Sequence, residues 1–261
     1  MPMSVVQLPT PDGACRTEVF VPQTGAGPWP GVVFCMDGGG QRQALQGMAQ
    51  RLADAGYVVA LPDLFHRAGD VLDLLPPGTP RDVKHLFPLF RDPAFVGPWR
   101  ARFYASATKP EHLRADVGAV LQHLAAHPRV KQGGVGVVGY CMGGHCTLRL
   151  AALFPEQVAA AASFHGGMLA SPAPDSPHLD APRIKARLYV GGAQEDPSFT
   201  DEMKAMLVSA LEKAGVDHVV ESYPARHGFA VPDSPVYDQA AAERHFTALT
   251  SFFERSLKAP R

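Results

Sequence analysis

The stretch Val135-Gly-Val-Val-Gly-Tyr-Cys-Met-Gly-Gly144 is an apolar run that ends in a cysteine between two glycines. The pattern predicts a buried strand at 134–139 and a helix at 142–154 that ends before Pro155. A Gly-x-Cys-x-Gly turn between a strand and a helix is the nucleophile-elbow pattern, with a thiol in place of the usual serine. The glycines leave room for a tight turn and for a substrate carbonyl. We therefore expect Cys141 to be a nucleophile at the carboxyl edge of a parallel sheet.

Predicted strands and helices alternate on both sides of this turn. An opening pair of strands is predicted within 4–22. The later strands are predicted at 31–36, 57–61, 159–164, 186–190 and 216–223. The other helices are predicted before Gly56 and at 111–127, 200–214 and 238–257. This alternation is typical of an α/β fold, in which helices cover both faces of a mostly parallel sheet.

Residues 62–110 interrupt the alternation with several prolines and with the aromatic residues Phe87, Phe90, Phe95 and Trp99. Two interpretations stay open, a surface excursion and a wall over the active site, and they are compatible with each other. Because no repeat, low-complexity tract or linker interrupts the chain, we expect residues 1–261 to form a single domain. The irregular excursion at 62–110 would then lie near its active site.

The composition is that of an ordinary globular enzyme. The chain has 261 residues, of which 46% are hydrophobic and 19% are charged, and this balance argues against disorder. A net charge of -1 does not favour binding to nucleic acid or to an anionic membrane. Neither a secretory signal nor an apolar stretch of roughly 20 residues is recognisable in the sequence. The four cysteines lack the spacing of a metal site, so we expect a cytoplasmic protein without a metal or cofactor.

A cysteine nucleophile needs a base beside it and a carboxylate that orients the base. In α/β-hydrolases the acid and then the histidine follow the nucleophile along the chain. The strand at 186–190 leads to Glu195 and Asp196, and the strand at 216–223 leads to His227. Asp196 is favoured over Glu195 because Asp-Pro at the end of a strand starts a defined turn. The predicted catalytic residues are therefore Cys141, Asp196 and His227.

A second group of residues follows the strand at 31–36. Asp37 and three glycines end that strand at the same edge as the elbow, and no Gly-Lys-Ser/Thr follows that would indicate a phosphate loop. We expect the backbone N–H groups of Gly38 and Met142 to form the oxyanion hole. The Asp37 carboxylate would then lie close to the thiol and influence its protonation.

The remaining histidines and cysteines suit structural roles better. His165 comes too early in the chain order to be the base, so a place in the pocket wall is the most we expect of it. His145 is expected to pack within the helix that follows the elbow. Cys35 and Cys146 are predicted to be core residues. A redox pair between Cys141 and Cys146 is not expected, because residues five apart on a helix point in different directions.

The sequence resembles the dienelactone hydrolase family of the α/β-hydrolase superfamily over most of its length. The resemblance rests on Gly31-Val-Val-Phe-Cys-Met-Asp-Gly38, Leu61-Pro-Asp-Leu64, Gly139-Tyr-Cys-Met-Gly-Gly144, Asp196 and His227-Gly-Phe-Ala230. It implies an α/β-hydrolase fold and a Cys-Asp-His triad at Cys141, Asp196 and His227. It also implies that Asp37 is the family's extra carboxylate, for which the best-known members use glutamate.

The chain departs from those members where they bind the substrate carboxylate. They continue the catalytic histidine with Ser-Phe-Ala-Arg, whereas this chain has Gly228 and Val231 at the two polar positions. Arg81, Arg91 and Arg100 of the excursion are alternatives for that role, although surface arginines are the commoner explanation. Ester chemistry is expected, and the identity of the substrate is left open.

These observations predict a cofactor-independent hydrolase that cleaves small carboxylic esters or lactones, with no nucleic-acid or membrane partner. The main alternative is a non-catalytic protein that binds a small lactone or acid on the same scaffold. The complete set of nucleophile, acid and base argues against it, since a binding protein does not need all three. A redox thiol protein is a further alternative, and it would form a reversible disulfide at Cys141.

Overall fold

A single eight-stranded sheet organises the protein in the computed structural model, which describes residues 3–258. The strands are β1 (Met3–Thr10), β2 (Gly13–Phe20), β3 (Gly31–Cys35), β4 (Val58–Pro62), β5 (Val135–Tyr140), β6 (Val158–Phe164), β7 (Arg187–Glu195) and β8 (His218–Arg226). Their order across the sheet is β1-β2-β4-β3-β5-β6-β7-β8. Strands β3 to β8 run parallel, and β2 pairs antiparallel with both β1 and β4.

Helices connect the parallel strands, as parallel pairing requires. The α-helices are α1 (Gln43–Asp54), α2 (Val83–Leu86), α3 (Pro93–Trp99), α4 (Ala105–Thr108), α5 (Pro110–Ala126), α6 (Met142–Leu153), α7 (Asp201–Ala214) and α8 (Gln239–Phe253). Shorter 3₁₀ segments lie at Val71–Leu74, Phe87–Arg91 and Pro177–Arg183, and π-helical turns lie at Arg100–Tyr104 and Glu254–Lys258. No helix among residues 3–258 is long and apolar enough to cross a membrane.

The central strands β3 and β5 are buried along their whole length. Helices α1 and α8 line a small apolar cavity over Phe34 and Tyr140 on one face of the sheet. On the other face Leu124 of α5 packs against Gly31, since successive residues of a strand point to opposite faces. The predicted α/β architecture, with helices on both faces of a mostly parallel sheet, is confirmed.

The boundaries differ from the predicted ones where they matter for the site. Strand β7 continues to Glu195 and β8 continues to Arg226, several residues beyond the predicted ends. Asp196 and His227 therefore follow their strands directly. The segment 62–110, predicted as irregular, contains α2 to α4 and short 3₁₀ and π segments. The 3₁₀ segment Pro177–Arg183 was not predicted at all.

Two buried histidines link the stability of this core to pH. The hydroxyl of Tyr140 and Nε2 of His245 lie 3.1 Å apart in the core beneath α8. Burial lowers the pKa of His245 to about 4, and burial likewise lowers the pKa of His145 to about 4. An unfolded histidine has a pKa of about 6.5. Between about pH 6.5 and pH 4 the unfolded chain therefore binds protons that the folded chain does not, and stability falls on acidification.

We predict that His245→Gln weakens this pH dependence. One proton bound only by the unfolded state changes the free energy of unfolding by about 1.4 kcal/mol per pH unit. The variant is expected to lose a slope of about that size between pH 5 and pH 6, because glutamine does not titrate there. Urea unfolding of both proteins across this range measures the two slopes. Equal slopes would contradict the prediction.

Candidate active site

Cys141 lies at the turn between β5 and α6, in the strained conformation that the elbow pattern predicts. Its backbone has φ 54° and ψ -114°, a positive φ that residues other than glycine rarely adopt. Its N–H donates to the carbonyl of Phe164 at 3.2 Å, and its carbonyl accepts from the N–H of His145 at 3.2 Å. The residue is half-buried, whereas the other three cysteines are buried.

Two glycines make this turn sterically feasible. A Cβ atom at Gly139 would lie 2.1 Å from the carbonyl oxygen of Gly143, and one at Gly143 would lie 2.2 Å from the carbonyl oxygen of Cys35. Real Cβ atoms do not approach other atoms so closely, so both positions require glycine. The Gly-x-Cys-x-Gly pattern is thus explained by the close contact of α6 with the ends of β3 and β5.

Asp196 and His227 follow the neighbouring strands β7 and β8, and their side chains meet. Nδ1 of His227 lies 2.6 Å from Oδ2 of Asp196. The Asp196 side chain is 1% exposed and that of His227 is 28% exposed. Glu195, the alternative acid, is exposed, and it lies 3.8 Å from Arg226. Of the two acids left open by the sequence, Asp196 is the one bonded to His227.

The charges of this group are coupled. Burial alone would lower the pKa of His227, but the negative charge and hydrogen bond of the Cys141 sulfur, together with Asp196, hold that pKa well above its ordinary value. Burial alone would raise the pKa of Asp196, but its hydrogen bonds to His227 and Ser198 lower it. The raised pKa of His227 and the lowered pKa of Asp196 favour an ion pair between these two residues.

Ser198 is a member of this group that the sequence analysis missed. Its hydroxyl donates to Oδ1 of Asp196 at 2.6 Å, and its backbone N–H donates to the same oxygen at 2.8 Å. The hydroxyl also lies 3.3 Å from Nδ1 of His227. The backbone contact is an Asx-turn, for which Asp-Pro-Ser is a suitable sequence. The Asx-turn was the sequence signal that could have revealed Ser198. It engages Oδ1 of Asp196, so that Oδ2 bonds the histidine.

The predicted oxyanion loop follows β3. Among residues 3–258 no protein acceptor is bonded to the N–H of Gly38, and Met142, as the first residue of α6, has no acceptor for its N–H within the helix. Asp37 is 3% exposed. Both of its carboxylate oxygens accept from the Arg42 guanidinium, at 2.6 and 2.8 Å. The sequence analysis did not predict this partner.

Aromatic residues of the 62–110 segment cover the oxyanion loop. The indole N–H of Trp99 donates to the carbonyl of Gly38 at 3.3 Å, and a Cβ atom at Gly38 would lie 2.9 Å from the Trp99 ring. Phe90 meets Trp99 edge to face at 4.9 Å between ring centroids, and Tyr104 lies 5.6 Å from Trp99. The structure is therefore compatible with both interpretations of this segment, a surface excursion and a wall over the active site, because one side of the segment covers the oxyanion loop.

Comparison with known proteins identifies the family of this chain. The sequence model of the dienelactone hydrolase family matches residues 16–257. The chain belongs to the dienelactone hydrolase family. It is therefore a hydrolase of the lactone and ester class, and the alternative of a non-catalytic binding protein is not favoured.

Individual relatives are distant but align over most of the chain. A carboxymethylenebutenolidase from Rhodococcus opacus is 29% identical over 218 residues, which are 80% of this chain and 75% of that protein. A dienelactone hydrolase-like promiscuous phosphotriesterase from metagenomic libraries is 25% identical, with a TM-score of 0.71 over 98% of this chain and 99% of that chain. A candidate dienelactone hydrolase from Klebsiella pneumoniae has a TM-score of 0.80 at 21% identity, over 97% of this chain and 98% of that chain. This last similarity is one of fold.

This member of the family holds a second Cys-His-Asp group, formed by Cys15 of β2, His66 after β4 and Asp116 of α5. One ligand atom each of Cys15, His66 and Asp116 lies within 4.8 Å of the others. Arg67 donates to both oxygens of Asp116, at 2.5 and 2.8 Å, so a cation already neutralises that carboxylate. Burial raises the pKa of the Cys15 thiol to about 12, and the residue has no exposed surface. The group therefore suits neither a metal ion nor a nucleophile.

The other histidines and cysteines lie where the sequence analysis expected them. His165 is fully buried with its ring centroid 5.3 Å from that of His227, and burial lowers its pKa well below the ordinary value. It forms part of the wall behind the triad. Nδ1 of His145 lies 3.2 Å from the Tyr104 hydroxyl. Cys35 and Cys146 have no exposed surface, as predicted for core residues, and all four cysteines are free thiols.

We predict that Ser198→Ala lowers kcat about 10-fold with little change in KM. A hydrogen bond to a charged group contributes about 1.5–3 kcal/mol, and its loss leaves the Asp196 carboxylate less firmly oriented. Ester hydrolysis at saturating and limiting substrate separates the two constants. Ser222→Ala is the matched control, because it removes a serine hydroxyl that is hydrogen-bonded outside this group, where it accepts from Lys204 at 3.1 Å. A kcat within twofold of the unmodified enzyme would contradict the prediction.

Proposed function

We propose that this enzyme hydrolyses carboxylic esters or lactones through a Cys141-Asp196-His227 triad. One observation carries the proposal. The imidazole of His227 is bonded to the buried Asp196 and its pKa is raised by the Cys141 sulfur, which lies at the strained turn. Without a basic partner only a few per cent of a cysteine is thiolate at neutral pH. A partner of this kind is what nucleophilic catalysis requires.

In the proposed reaction the Cys141 sulfur attacks the ester carbonyl and forms a tetrahedral oxyanion. The amides of Gly38 and Met142 stabilise this charge, which a preorganised pair of donors does more effectively than water. His227 gives its proton to the departing alkoxide, and an acyl-thioester remains on Cys141. The same imidazole then accepts a proton from water, which attacks the thioester and releases the acid. Asp196 holds the ring in the required tautomer throughout.

The surroundings of the triad favour a substrate with an apolar or aromatic part. Phe90, Trp99 and Tyr104 form the wall over Gly38. Val231, which stands where the best-known members have an arginine, is 1% exposed and offers no charge. Arg81 is paired with Asp70 and Asp73. These features support uncharged esters or lactones ahead of substrates that carry a carboxylate.

Asp37 is proposed to influence the thiol through its charge. Its two carboxylate oxygens are both bonded to Arg42, and Oδ1 also accepts from the N–H of Gly39 at 2.9 Å. A carboxylate held in this way is poorly placed to exchange a proton with Cys141. Its electric field still reaches the sulfur, because a protein interior screens charge less than water does.

The proposed setting is the cytoplasm, with a small molecule as the only partner that the proposal requires. Three of the four free thiols, those of Cys15, Cys35 and Cys146, are buried, and free thiols suit a reducing compartment. The net charge of -1 supports neither nucleic acid nor an anionic membrane as a partner.

We predict that Cys141→Ala lowers kcat/KM for activated esters and lactones by at least about 10³-fold, as expected when a nucleophile is removed. Cys15→Ala is the matched control, because it removes the cysteine of the second Cys-His-Asp group and is expected to leave hydrolysis unchanged. The assay uses a panel of cyclic and linear esters with and without a carboxylate, and rapid quenching followed by mass spectrometry detects the acyl group on Cys141. Retention of hydrolysis by Cys141→Ala would refute the proposed function.

We predict that Asp37→Asn moves the pH profile of Cys141 alkylation by iodoacetamide to lower pH. Loss of a negative charge near the sulfur favours the thiolate, and the freed Arg42 charge acts in the same direction. The rate of alkylation is measured from pH 5 to pH 9 by mass spectrometry of the Cys141 peptide. Superimposable profiles for both proteins would rule out an influence of Asp37 on the thiol.

A further inference from the structure

Arg42 joins the loop that follows β3 to Asp233, which lies 191 residues beyond Arg42 in the chain. Its Nη1 and Nη2 donate to the two oxygens of Asp37, and its Nε and Nη2 donate to the two oxygens of Asp233, at 2.7 and 2.8 Å. Nη1 also donates to the carbonyl of Gly40 at 3.0 Å. A guanidinium has five N–H donors, and these five bonds use all of them.

The two segments belong to different parts of the proposed machinery. Asp37 and Gly40 flank Gly38 in the oxyanion loop. Asp233 lies six residues beyond His227, in the segment that leads to α8. Arg42 is the N-cap residue of α1. It therefore stands between the proposed oxyanion donor and the segment that carries the proposed base.

The segment after His227 is fixed by its own contacts. The N–H of Phe229 donates to the carbonyl of Arg226 at 3.1 Å, and the N–H of Asp238 donates to the carbonyl of Phe229 at 3.1 Å. Phe229 has no exposed surface, and the N–H of Ser234 donates to the carbonyl of Val231 at 3.0 Å. These contacts fix the segment that carries Asp233, so Asp233 can hold the Arg42 guanidinium in a defined position.

The oxyanion loop has less intrinsic rigidity. It contains three consecutive glycines, and glycine has the most backbone freedom to lose. Gly40 adopts φ +78°, a conformation that glycine reaches readily. The contacts of Asp37 with Arg42 and with the N–H of Gly39 hold this loop, together with the hydrogen bond of Trp99 to Gly38. An external attachment is therefore needed to keep the Gly38 amide in one orientation.

The ion pairs of Arg42 are partly shielded from water. The Arg42 side chain is 12% exposed, that of Asp37 is 5% exposed and that of Asp233 is 32% exposed. Burial by itself would lower the pKa of Arg42, but the Asp37 and Asp233 carboxylates raise it above its ordinary value. Bidentate hydrogen bonds between an arginine and a carboxylate are stronger and more directional than hydrogen bonds between neutral groups.

We propose that Arg42 is a positioning residue, which holds the Gly38 amide in register with His227 by bonding Asp37 on one side and Asp233 on the other. The inference rests on the proposed function, because it needs Gly38 to be an oxyanion donor. It also assigns Arg42 no contact with the substrate, since the guanidinium has no donor left to offer a substrate carboxylate.

The protein contains a second ion pair that serves as a matched control for the contact between Arg42 and Asp233. Arg51 of α1 donates to both oxygens of Glu243 of α8, at 2.9 and 2.5 Å, across 192 residues of sequence. The Arg51 side chain is 46% exposed and that of Glu243 is 53% exposed. This pair also joins α1 to the C-terminal part of the chain, but it contacts none of the proposed catalytic residues. Glu243→Gln therefore removes a similar cross-link without touching the oxyanion loop.

The test compares Asp233→Asn, Asp233→Glu and Glu243→Gln in the full-length enzyme. Asp233→Asn is expected to lower kcat about 10-fold with KM changed less than twofold, because small displacements of catalytic groups cost rate rather than affinity. Asp233→Glu keeps the charge and is expected to recover most of kcat, and Glu243→Gln is expected to leave kcat unchanged. The limiting rate of Cys141 alkylation by iodoacetamide at high pH is expected to be the same in all of them, since the thiol and His227 are not moved. Thermal unfolding is measured alongside.

Two results would overturn the inference. One is an unchanged kcat in Asp233→Asn, whatever happens to its thermal stability. The other is a parallel loss of hydrolysis and of alkylation, which would mean that the contact between Arg42 and Asp233 acts on the triad itself. If Asp233→Asn does not fold, kcat of Asp233→Glu decides. A kcat of Asp233→Glu more than 10-fold below that of the unmodified enzyme then counts against a positioning role for the Asp233 charge. Cys141→Ala in the same assay separates these results from a failure of the proposed function, because that failure appears as retained hydrolysis.

Discussion

The backbone at Cys141 is the constraint on which the rest of the site depends. A residue with a side chain is held at φ 54° and ψ -114°, a conformation that costs about 1–3 kcal/mol and persists only where the surroundings enforce it. Here the surroundings are the ends of β3 and β5, against which α6 packs so closely that Gly139 and Gly143 admit no side chain. The strain places the sulfur at the carboxyl edge of the sheet. The loops that follow the neighbouring parallel strands reach the same edge, and this is why residues far apart in sequence can meet there.

Charge is arranged at this edge as two separate buried groups. In one, the Asp196 carboxylate is shared between His227 and Ser198, and the pKa of His227 is raised. In the other, Arg42 is enclosed by two carboxylates and is neutralised within its own group. Because a buried charge without a partner is costly, the charges of each group are compensated mainly within that group. The consequence is that the histidine responds mainly to the sulfur and to Asp196, while the arginine group shapes the loop that carries Gly38.

Much of this site could be predicted from the sequence, because the relevant signals are local. The elbow glycines identify Cys141, and the chain order of an α/β-hydrolase leads to Asp196 and His227. The extents of β7 and β8 were underestimated because polar residues such as Gln194 and Arg226 continue the strands at the sheet edge. Ser198 was missed although its Asx-turn was visible, since a turn does not reveal which side chain shares the carboxylate. Arg42 and Asp233 could not be paired at all, because contacts across 191 residues leave no local pattern.

Residue type alone does not decide which cysteine reacts. Cys15, His66 and Asp116 have the same three side chains as Cys141, His227 and Asp196, and they too lie close together. The first cysteine has no exposed surface and its pKa is raised to about 12 by burial, while the Asp116 carboxylate, 3.0 Å from Nε2 of His66, is already paired with the Arg67 cation. The second cysteine is half-buried at a strained turn, and its partner histidine is bonded to an aspartate that carries no competing arginine among the described residues. In the proposed function, backbone geometry, exposure and the position of a single guanidinium make this chemistry available at Cys141 and suppress it at Cys15.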